Sequence, residues 1–296
     1  MIILDFSQVI ISNLMTEIGT KSREDVSIDI NLLRHVVINT IRSLKVKFER
    51  EYGELVIACD SKNYWRKKVF PYYKANRKKA REESGLDWSA IFDCITTIKD
   101  ELKVFFPYKV LDVETAEADD IIATLVEWNQ LNNIIAKGLI EEPAPVLIIS
   151  GDHDFIQLQK YKNVKQYSPV QKKFIKPDTS PEEYVLEHII KGDRGDGIPN
   201  VLSDDECIIK GERQKSVSQK KLQEWIKTPE SMPKDVGFLR NLHRNRALID
   251  LSYIPGDLRY NIINTFTEAP SKDKSQLLNY FIQNRMKLMM EHIGEF

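Results

Sequence analysis

Acidic residues in this 296-residue chain stand where apolar runs of strand length end. Asp5 closes Ile2-Ile3-Leu4, and Asp60 closes Leu55-Val56-Ile57-Ala58-Cys59. Asp152 and Asp154 come after Val146-Leu147-Ile148-Ile149-Ser150-Gly151. Short continuous apolar runs read as strands buried on both faces. Between them lie stretches of helical spacing: Ile30, Leu33, Val37, Ile41, Leu44 and Phe48, then Ile91, Ile95, Ile98, Leu102 and Phe105. The alternation predicts an α/β fold, with a mostly parallel central sheet flanked by helices. Strands are expected at 2–6, 54–60, 108–113 and 145–150, and helices at 29–50, 87–105 and 117–129. Residues 164–167 and 173–175 are expected to form a hairpin or edge pair, and 137–145 a loop.

Near residue 180 the pattern turns helical, with no strong strand run beyond it. Ser180 followed by Pro181 is a helix start, the serine as N-cap and the proline at the first helical position. The chain is therefore divided into an α/β part, 1–180, and a helical part, 181–296, ending in a terminal amphipathic helix over Met286 to Met290. Composition fits a full core, at 42% hydrophobic and 29% charged residues. No apolar stretch approaches the ~18 residues of a membrane span. The apolar start is too short for a signal peptide, so a soluble intracellular protein is expected. Three scattered cysteines and no CxxC pair argue against zinc and disulfides.

In open α/β sheets, ligands bind beyond the carboxyl ends of the strands. That rule brings Asp5, Asp60, Asp152 and Asp154 to one place. Glu117 and Asp119, followed by Asp120, open the helix at 117–129, and Asp193 and Asp196 lie in Lys191-Gly192-Asp193-Arg194-Gly195-Asp196-Gly197. Carboxylates so crowded repel unless cations sit between them, and hard oxygen donors suit Mg²⁺ or Mn²⁺. Two such ions about 3.5–4 Å apart stabilise both the attacking and the leaving oxygen of a phosphoryl displacement. Each acid singly is as well explained as a helix cap or turn residue; four clusters together are not. His153, between two candidate ligands, reads as an exposed spacer. A haloacid-dehalogenase-like phosphatase also carries Asp-x-Asp after a strand, but on its first strand, where this chain has Asp5-Phe6-Ser7.

Directly after Asp60 comes a basic arm. Lys62, Arg66, Lys67, Lys68, Lys74, Arg77, Lys78, Lys79 and Arg81 occur with no acid between them, interleaved with Tyr64, Trp65, Phe70, Tyr72 and Tyr73. Basic groups neutralise phosphates, and aromatic rings offer stacking platforms for unpaired bases. In a chain of net charge −1, positive charge concentrated beside acids would guide a nucleic-acid backbone toward them. Like charges predict an arm poorly ordered alone and helical once neutralised.

The ordered set Asp5, Asp60, Glu117-Ala118-Asp119-Asp120, Gly151-Asp152-His153-Asp154 and Gly192-Asp193-Arg194-Gly195-Asp196 resembles the phage and bacterial 5′ nucleases. These are relatives of flap endonuclease and of the 5′ nuclease domain of DNA polymerase I. Ile3-Leu4-Asp5-Phe6-Ser7-Gln8, Tyr64-Trp65-Arg66, Tyr72-Tyr73-Lys74, Asn163-Val164-Lys165-Gln166 and Glu295-Phe296 resemble the ribonuclease H branch of the phage enzymes. The resemblance covers nearly the whole chain. It implies a PIN-like catalytic domain with a basic arch at about 62–85 and a helical duplex-binding domain at 181–296. It implies a Mg²⁺-dependent 5′→3′ exonuclease and flap endonuclease with RNase H activity, removing RNA primers in lagging-strand synthesis. By family pattern Asp5, Asp60, Glu117, Asp119 and Asp152 serve a first ion, with Asp154, Asp193 and Asp196 serving a second. Lys74 matches the active-site lysine and Arg66 its neighbouring arginine. Lys67, Lys68, Arg77, Lys78, Lys79 and Arg81 would hold the substrate strand.

The implied partners are RNA–DNA hybrid and branched or nicked duplex DNA, with a single-strand-binding protein and sliding clamp of the replisome, for a monomer in the host cytoplasm. One departure stands out. Val201 leads into Leu202-Ser203-Asp204-Asp205-Glu206, without the Gly-Ile-Gly hairpin with which relatives grip duplex. Contacts from Lys210, Lys220 and Lys221 are expected instead. With four residues ahead of Asp5, no N-terminal tail for a clamp or another partner is expected. The competing reading is a non-catalytic structure-specific nucleic-acid-binding protein on the same scaffold, but no acidic position of the pattern is missing.

Overall fold

The computed structural model describes residues 1–19, 29–137, 140–270 and 272–296. Its strands are β1 (Ile2–Asp5), β2 (Leu55–Cys59), β3 (Lys109–Asp112), β4 (Ile134–Lys137), β5 (Ile140–Pro143), β6 (Val146–Ile149), β7 (Val164–Ser168) and β8 (Lys173–Ile175). Six of them form one sheet in the order β3-β2-β1-β6-β7-β8. All its neighbours pair parallel except β7 and β8, the expected edge pair. The chain steps outward from β1 through β2 to β3 and then crosses to β6 on the other side of β1. This reversal sets the carboxyl ends of β1, β2 and β6 side by side, a topological switch point.

The helices are α1 (Phe6–Gly19), α2 (Ile30–Tyr52), α3 (Arg66–Val69), α4 (Asn76–Glu83), α5 (Trp88–Phe105), α6 (Ala118–Asn132), α7 (Pro181–Lys191), α8 (Gln219–Lys227), α9 (Val236–Ile249), α10 (Gly256–Glu268), α11 (Leu277–Gln283) and α12 (Lys287–Met290). Their starts are set by local chemistry. Asp29 and Asp87 accept hydrogen bonds from the first free N–H groups of α2 and α5, and Ser180 caps α7 ahead of Pro181. Two elements depart from expectation. Helix α1 continues β1 with no loop, burying Phe6, Val9, Ile10 and Leu14 at helical spacing. The expected loop at 137–145 contains half of an antiparallel hairpin, β4 with β5. Its residues Ile134, Ile135 and Ile140 are exposed, so it leaves no core periodicity to read.

Alternation in the strands divides the core. Ile2, Leu4, Leu55, Ile57, Leu147 and Ile149 face α1, α2 and α5, whereas Ile3, Val56, Ala58, Val146 and Ile148 face α6 and α10. Residues 181–250 build a helical lobe around Ile190, Val201, Leu222, Trp225 and Phe238. The chain then returns to the sheet: Leu258, Ile262 and Phe266 of α10 join one face, and Leu277, Tyr280, Phe281 and Phe296 join the other. The expected terminal helix is α12, Lys287–Met290, and the chain end beyond it is tucked into the first core. Its aromatic seam centres on Phe106, fully buried among Tyr280, Phe281 and Phe296 with ring centroids 5.2, 6.0 and 5.7 Å away.

Phe106→Ala should therefore cost about 3–5 kcal/mol and loosen the C-terminal seam, read as a lower urea midpoint. Leu131→Ala, at a position 81% exposed, should change stability by less than about 0.5 kcal/mol. Equal midpoints for the two variants would show that the seam carries no stability.

Candidate metal centre

The sheet delivers the first acids. Asp5 ends β1 and is buried, with Oδ1 accepting from the Gln8 N–H (3.1 Å) and Oδ2 from the Ser150 hydroxyl (3.0 Å). Asp60, just past β2, accepts from the Ala118 N–H at the start of α6 (2.8 Å). Past β6, Gly151 lets the chain turn tightly against Gln8. Asp152 then caps a 3₁₀ helix, His153–Lys160, accepting from the Asp154 N–H (3.0 Å). His153 is exposed, as expected of a spacer.

Helix α6 begins with a capping box in which Asp120 Oδ2 accepts from the Glu117 N–H (2.9 Å). Asp119 points from the same first turn toward the sheet acids, within electrostatic reach of Asp152 and Asp5. The Gly192–Gly197 turn supplies the last pair. Gly192 has φ +69° and sits so close to Ile198 O that a Cβ would lie 2.4 Å from it, so only glycine fits. Asp193 Oδ1 accepts from the N–H groups of Gly195 (2.7 Å) and Asp196 (3.1 Å).

The structure thus gathers the acids in a chain of mutual influence. Burial, then the nearby Asp60, pushes the Asp5 carboxyl up to about 7. Burial, then Asp152, raises Asp154 to about 7 as well, and the same two causes raise Asp119 well above the carboxylate range. Glu117 behaves oppositely. Burial pushes it up, but Lys74 and Arg66 outweigh burial and hold it below its usual value. Carboxylates that burial and one another force toward the neutral form are a donor set for a divalent cation.

The basic arm divides into two parts. Arg66 is buried, its Nη1 2.7 Å from Glu117 Oε2, its Nη2 2.9 Å from Asp120 Oδ1 and its Nε donating to Leu248 O (2.9 Å). It stands behind Glu117 rather than on the open side of the site. Lys74 pairs with Glu117 and lies 3.6 Å from Asp196 Oδ2, and Arg77 pairs with Asp196. Lys74 has φ +56°, a left-handed backbone that a lysine adopts at a cost of about 1–3 kcal/mol. Its N–H donates to Asp196 O (2.7 Å).

Two expectations about the arm are corrected. Helices α3 and α4 are formed with no nucleic acid present, and chain carboxylates stand against the arm's charge: Glu117 and Asp196 at Lys74 and Arg77, and Glu82 and Glu83 within 4.0 and 3.8 Å of Lys78 and Lys79. Nor are most of its aromatics free stacking platforms, only Tyr64 and Tyr72 of the five staying partly exposed. Trp65, Phe70 and Tyr73 are buried, and the Tyr73 hydroxyl lies 3.0 Å from both Glu117 Oε2 and Asp196 Oδ2. Lys67, Lys68, Lys78 and Lys79 are exposed, while Arg81 lies over the Phe92 ring. Lys210 pairs with Glu206, which also accepts from Tyr72 (2.5 Å), tying that loop to the arm. Lys220 and Lys221 are exposed at the start of α8. Sequence reasoning missed His188, whose Nε2 lies 3.4 Å from Asp193 Oδ2 and 3.9 Å from Asp154 Oδ1. Its signal was its place one turn before Gly192 at the end of α7.

An open parallel sheet with clustered acids at its switch point and a cationic arm over them defines a class: metal-centred enzymes of phosphodiester chemistry. The match is specific. Residues 14–188 fit the model for the 5′-3′ exonuclease N-terminal resolvase-like domain, and residues 179–296 fit that for the C-terminal part of T4 RNase H. The chain belongs to the 5′-3′ exonuclease family. It is 33% identical to the ribonuclease H of Enterobacteria phage T4, over 99% of this chain and 95% of that protein. In fold it is similar to the phage T5 D15 protein crystallised with metal ions, with a TM-score of 0.60 and 18% identity over 91% of this chain and 99% of that one. A D15 flap endonuclease complex with DNA and metal ions gives a TM-score of 0.59 and 19% identity over 90% and 98%. Among the described residues no helix is long and apolar enough to cross a membrane, and Cys59, Cys94 and Cys207 are buried free thiols.

These charges set two expected outcomes. Arg66→Met leaves Asp120 buried without its cation and Glu117 with Lys74 alone, and should cost about 3–5 kcal/mol by urea denaturation. Asp5 is raised in the folded state, so its stabilising contribution is complete below the unfolded carboxyl value of about 4 and is lost as pH rises through about 7. In EDTA, Asp5→Asn should therefore melt higher than the parent at pH 8 and lose that advantage near pH 4. An advantage independent of pH would contradict this origin.

Proposed function

We propose that this chain is a Mg²⁺-dependent 5′ nuclease that cuts RNA–DNA hybrid and flapped or nicked duplex DNA, removing RNA primers and adjacent DNA during replication. The observation that carries this reading is the seat of Lys74: a cation held between Glu117 and Asp196, where an arm carrying phosphate-binding groups meets the acid cluster. Asp5, Asp60, Glu117, Asp119 and Asp152 would hold one ion, and Asp154, Asp193 and Asp196 the other. Bound Mg²⁺ ions would activate water and offset charge on the phosphoryl oxygens.

The chain's own residues have separable tasks. Lys74 offers its ammonium to the scissile phosphate, where charge develops. Arg66 acts as a positioning residue, holding the Glu117 carboxylate from behind with the help of Asp120. Lys67, Lys68, Arg77, Lys78, Lys79 and Arg81 line the arm for a single strand, and Lys210, Lys220 and Lys221 serve the duplex. Arg77, already paired with Asp196, would exchange that carboxylate for a phosphate. A merely binding protein on this scaffold would have lost acids of the pattern, and this sequence keeps each of them.

Cleavage of 5′-labelled flap, nicked and RNA-primed duplexes, with Mg²⁺ and with EDTA, tests the reading. Asp119→Asn should lower the rate about 100-fold or more, since changes even beyond the direct ligands of a metal cost 10–100-fold. Full activity of the folded variant in Mg²⁺ would end the assignment. Lys74→Ala should reduce the rate about 10²–10³-fold at saturating enzyme, the usual cost of removing a group that stabilises developing charge. Lys78→Ala with Lys79→Ala should chiefly weaken binding, flattening the log–log salt dependence by roughly 0.9 per lost phosphate contact. If Lys74→Ala cuts at the parental rate, the arm is only an electrostatic guide.

A further inference from the structure

His188 is outside the ordered set of acids, yet the fold builds it into the same centre. It occupies the last turn of α7, with Tyr184 packed one turn earlier at a ring distance of 5.9 Å. Gly192 then ends the helix, its N–H donating to His188 O (2.8 Å). The left-handed turn there sends Asp193 back toward the imidazole, and Asp154 arrives from the 3₁₀ helix after β6. His188 Nε2, one Asp154 oxygen and one Asp193 oxygen all lie within 4.8 Å of one another.

Those separations are informative. Donors about 2.0–2.2 Å from one ion lie about 3 Å apart when adjacent and about 4.2 Å apart when opposite. The Nε2 distances of 3.4 Å to Asp193 and 3.9 Å to Asp154 fall inside that interval. They are long for an imidazolium–carboxylate hydrogen bond. Nε2 is shielded from solvent and has no hydrogen bond of good geometry, so an enclosed nitrogen faces two carboxylates without closing on either.

We propose that His188 supplies Nε2 as a direct ligand to the second ion, completing a nitrogen–oxygen site with Asp154 and Asp193 that selects a first-row transition ion such as Mn²⁺ over Mg²⁺. This rests on the two-ion reading above and deepens it by naming the metal class of the second site. Oxygen donors suit Mg²⁺, while an imidazole adds affinity for transition ions. The first site, made of carboxylates alone, has no such preference built in.

The test is anomalous diffraction from crystals of the whole chain soaked with Mn²⁺, with calorimetric titration of Mn²⁺ and of Mg²⁺ into the parent, His188→Ala and His188→Lys. A Mn²⁺ peak is expected at bonding distance from Nε2, roughly 2.0–2.3 Å. Both variants should lose about tenfold or more in Mn²⁺ affinity at that site, and His188→Ala, which adds no charge, should lose much less in Mg²⁺ affinity. The lysine variant separates ligand from charge: it keeps a cation and loses the imidazole nitrogen. Melting of each variant in EDTA checks that the fold is intact. Mn²⁺ held by Asp154 and Asp193 but away from Nε2 overturns the assignment of His188 and leaves the two-ion reading standing. So do equal losses for both metals in His188→Ala, or a lysine variant that binds Mn²⁺ as the parent does. Absence of any ion at Asp154 and Asp193 in the parent removes the two-ion reading itself.

Discussion

Repulsion among carboxylates at one end of a parallel sheet governs the rest of this molecule. β1, β2 and β6 end side by side, and α6 points its first turn at the same place. Acids brought there cannot all be ionised cheaply: burial and neighbouring charge lift Asp5 and Asp154 to about 7. The fold answers this repulsion unevenly. Glu117 is compensated by the chain's own cations, Lys74 and Arg66. Asp5, Asp119 and Asp154 receive much less, and that shortfall suits the centre to a cation rather than to an internal salt-bridge cluster.

The arm's architecture reflects the same imbalance. Its inner residues are drawn into the protein: Arg66 behind Glu117, and the Tyr73 hydroxyl between Glu117 and Asp196. Its outer residues stay on the surface of α4. Lys74 marks the division, with a left-handed backbone and its N–H on Asp196 O. Strain of that kind persists only where surrounding contacts over-determine it. Here the Gly192–Gly197 turn on one side and the α6 cap on the other hold it. The helical lobe is therefore part of the centre, since its first helix and the turn after it supply His188, Asp193 and Asp196.

Much of this could be read from residue order. Asp5, Asp60, Asp152 and Asp154 could be placed together because a parallel strand is a continuous apolar run, and a residue just past its carboxyl end has one place to go. Glu117 and Asp119 stood at the start of an apolar-periodic stretch, and the structure closes that start with a Glu117–Asp120 capping box. The arm's charge was plain, but its order was not, because its neutralising partners, Glu117 and Asp196, are far away in sequence. The β4–β5 hairpin escaped notice because its exposed residues carry no periodicity.

The sequence by itself determined the α/β class, the strand ends, the helix starts and which acids stand at them. Each of these rests on local chemistry: period, capping and turn residues act over a few positions. Only the tertiary structure decided which of nine arm cations are buried partners and which are surface groups. It also turned Trp65, Phe70 and Tyr73 inward, carried 251–296 back onto the sheet and placed His188 against Asp154 and Asp193. These outcomes depend on packing between segments tens to hundreds of residues apart. Burial and electrostatic partnership there are properties of three-dimensional neighbours, which no local pattern encodes.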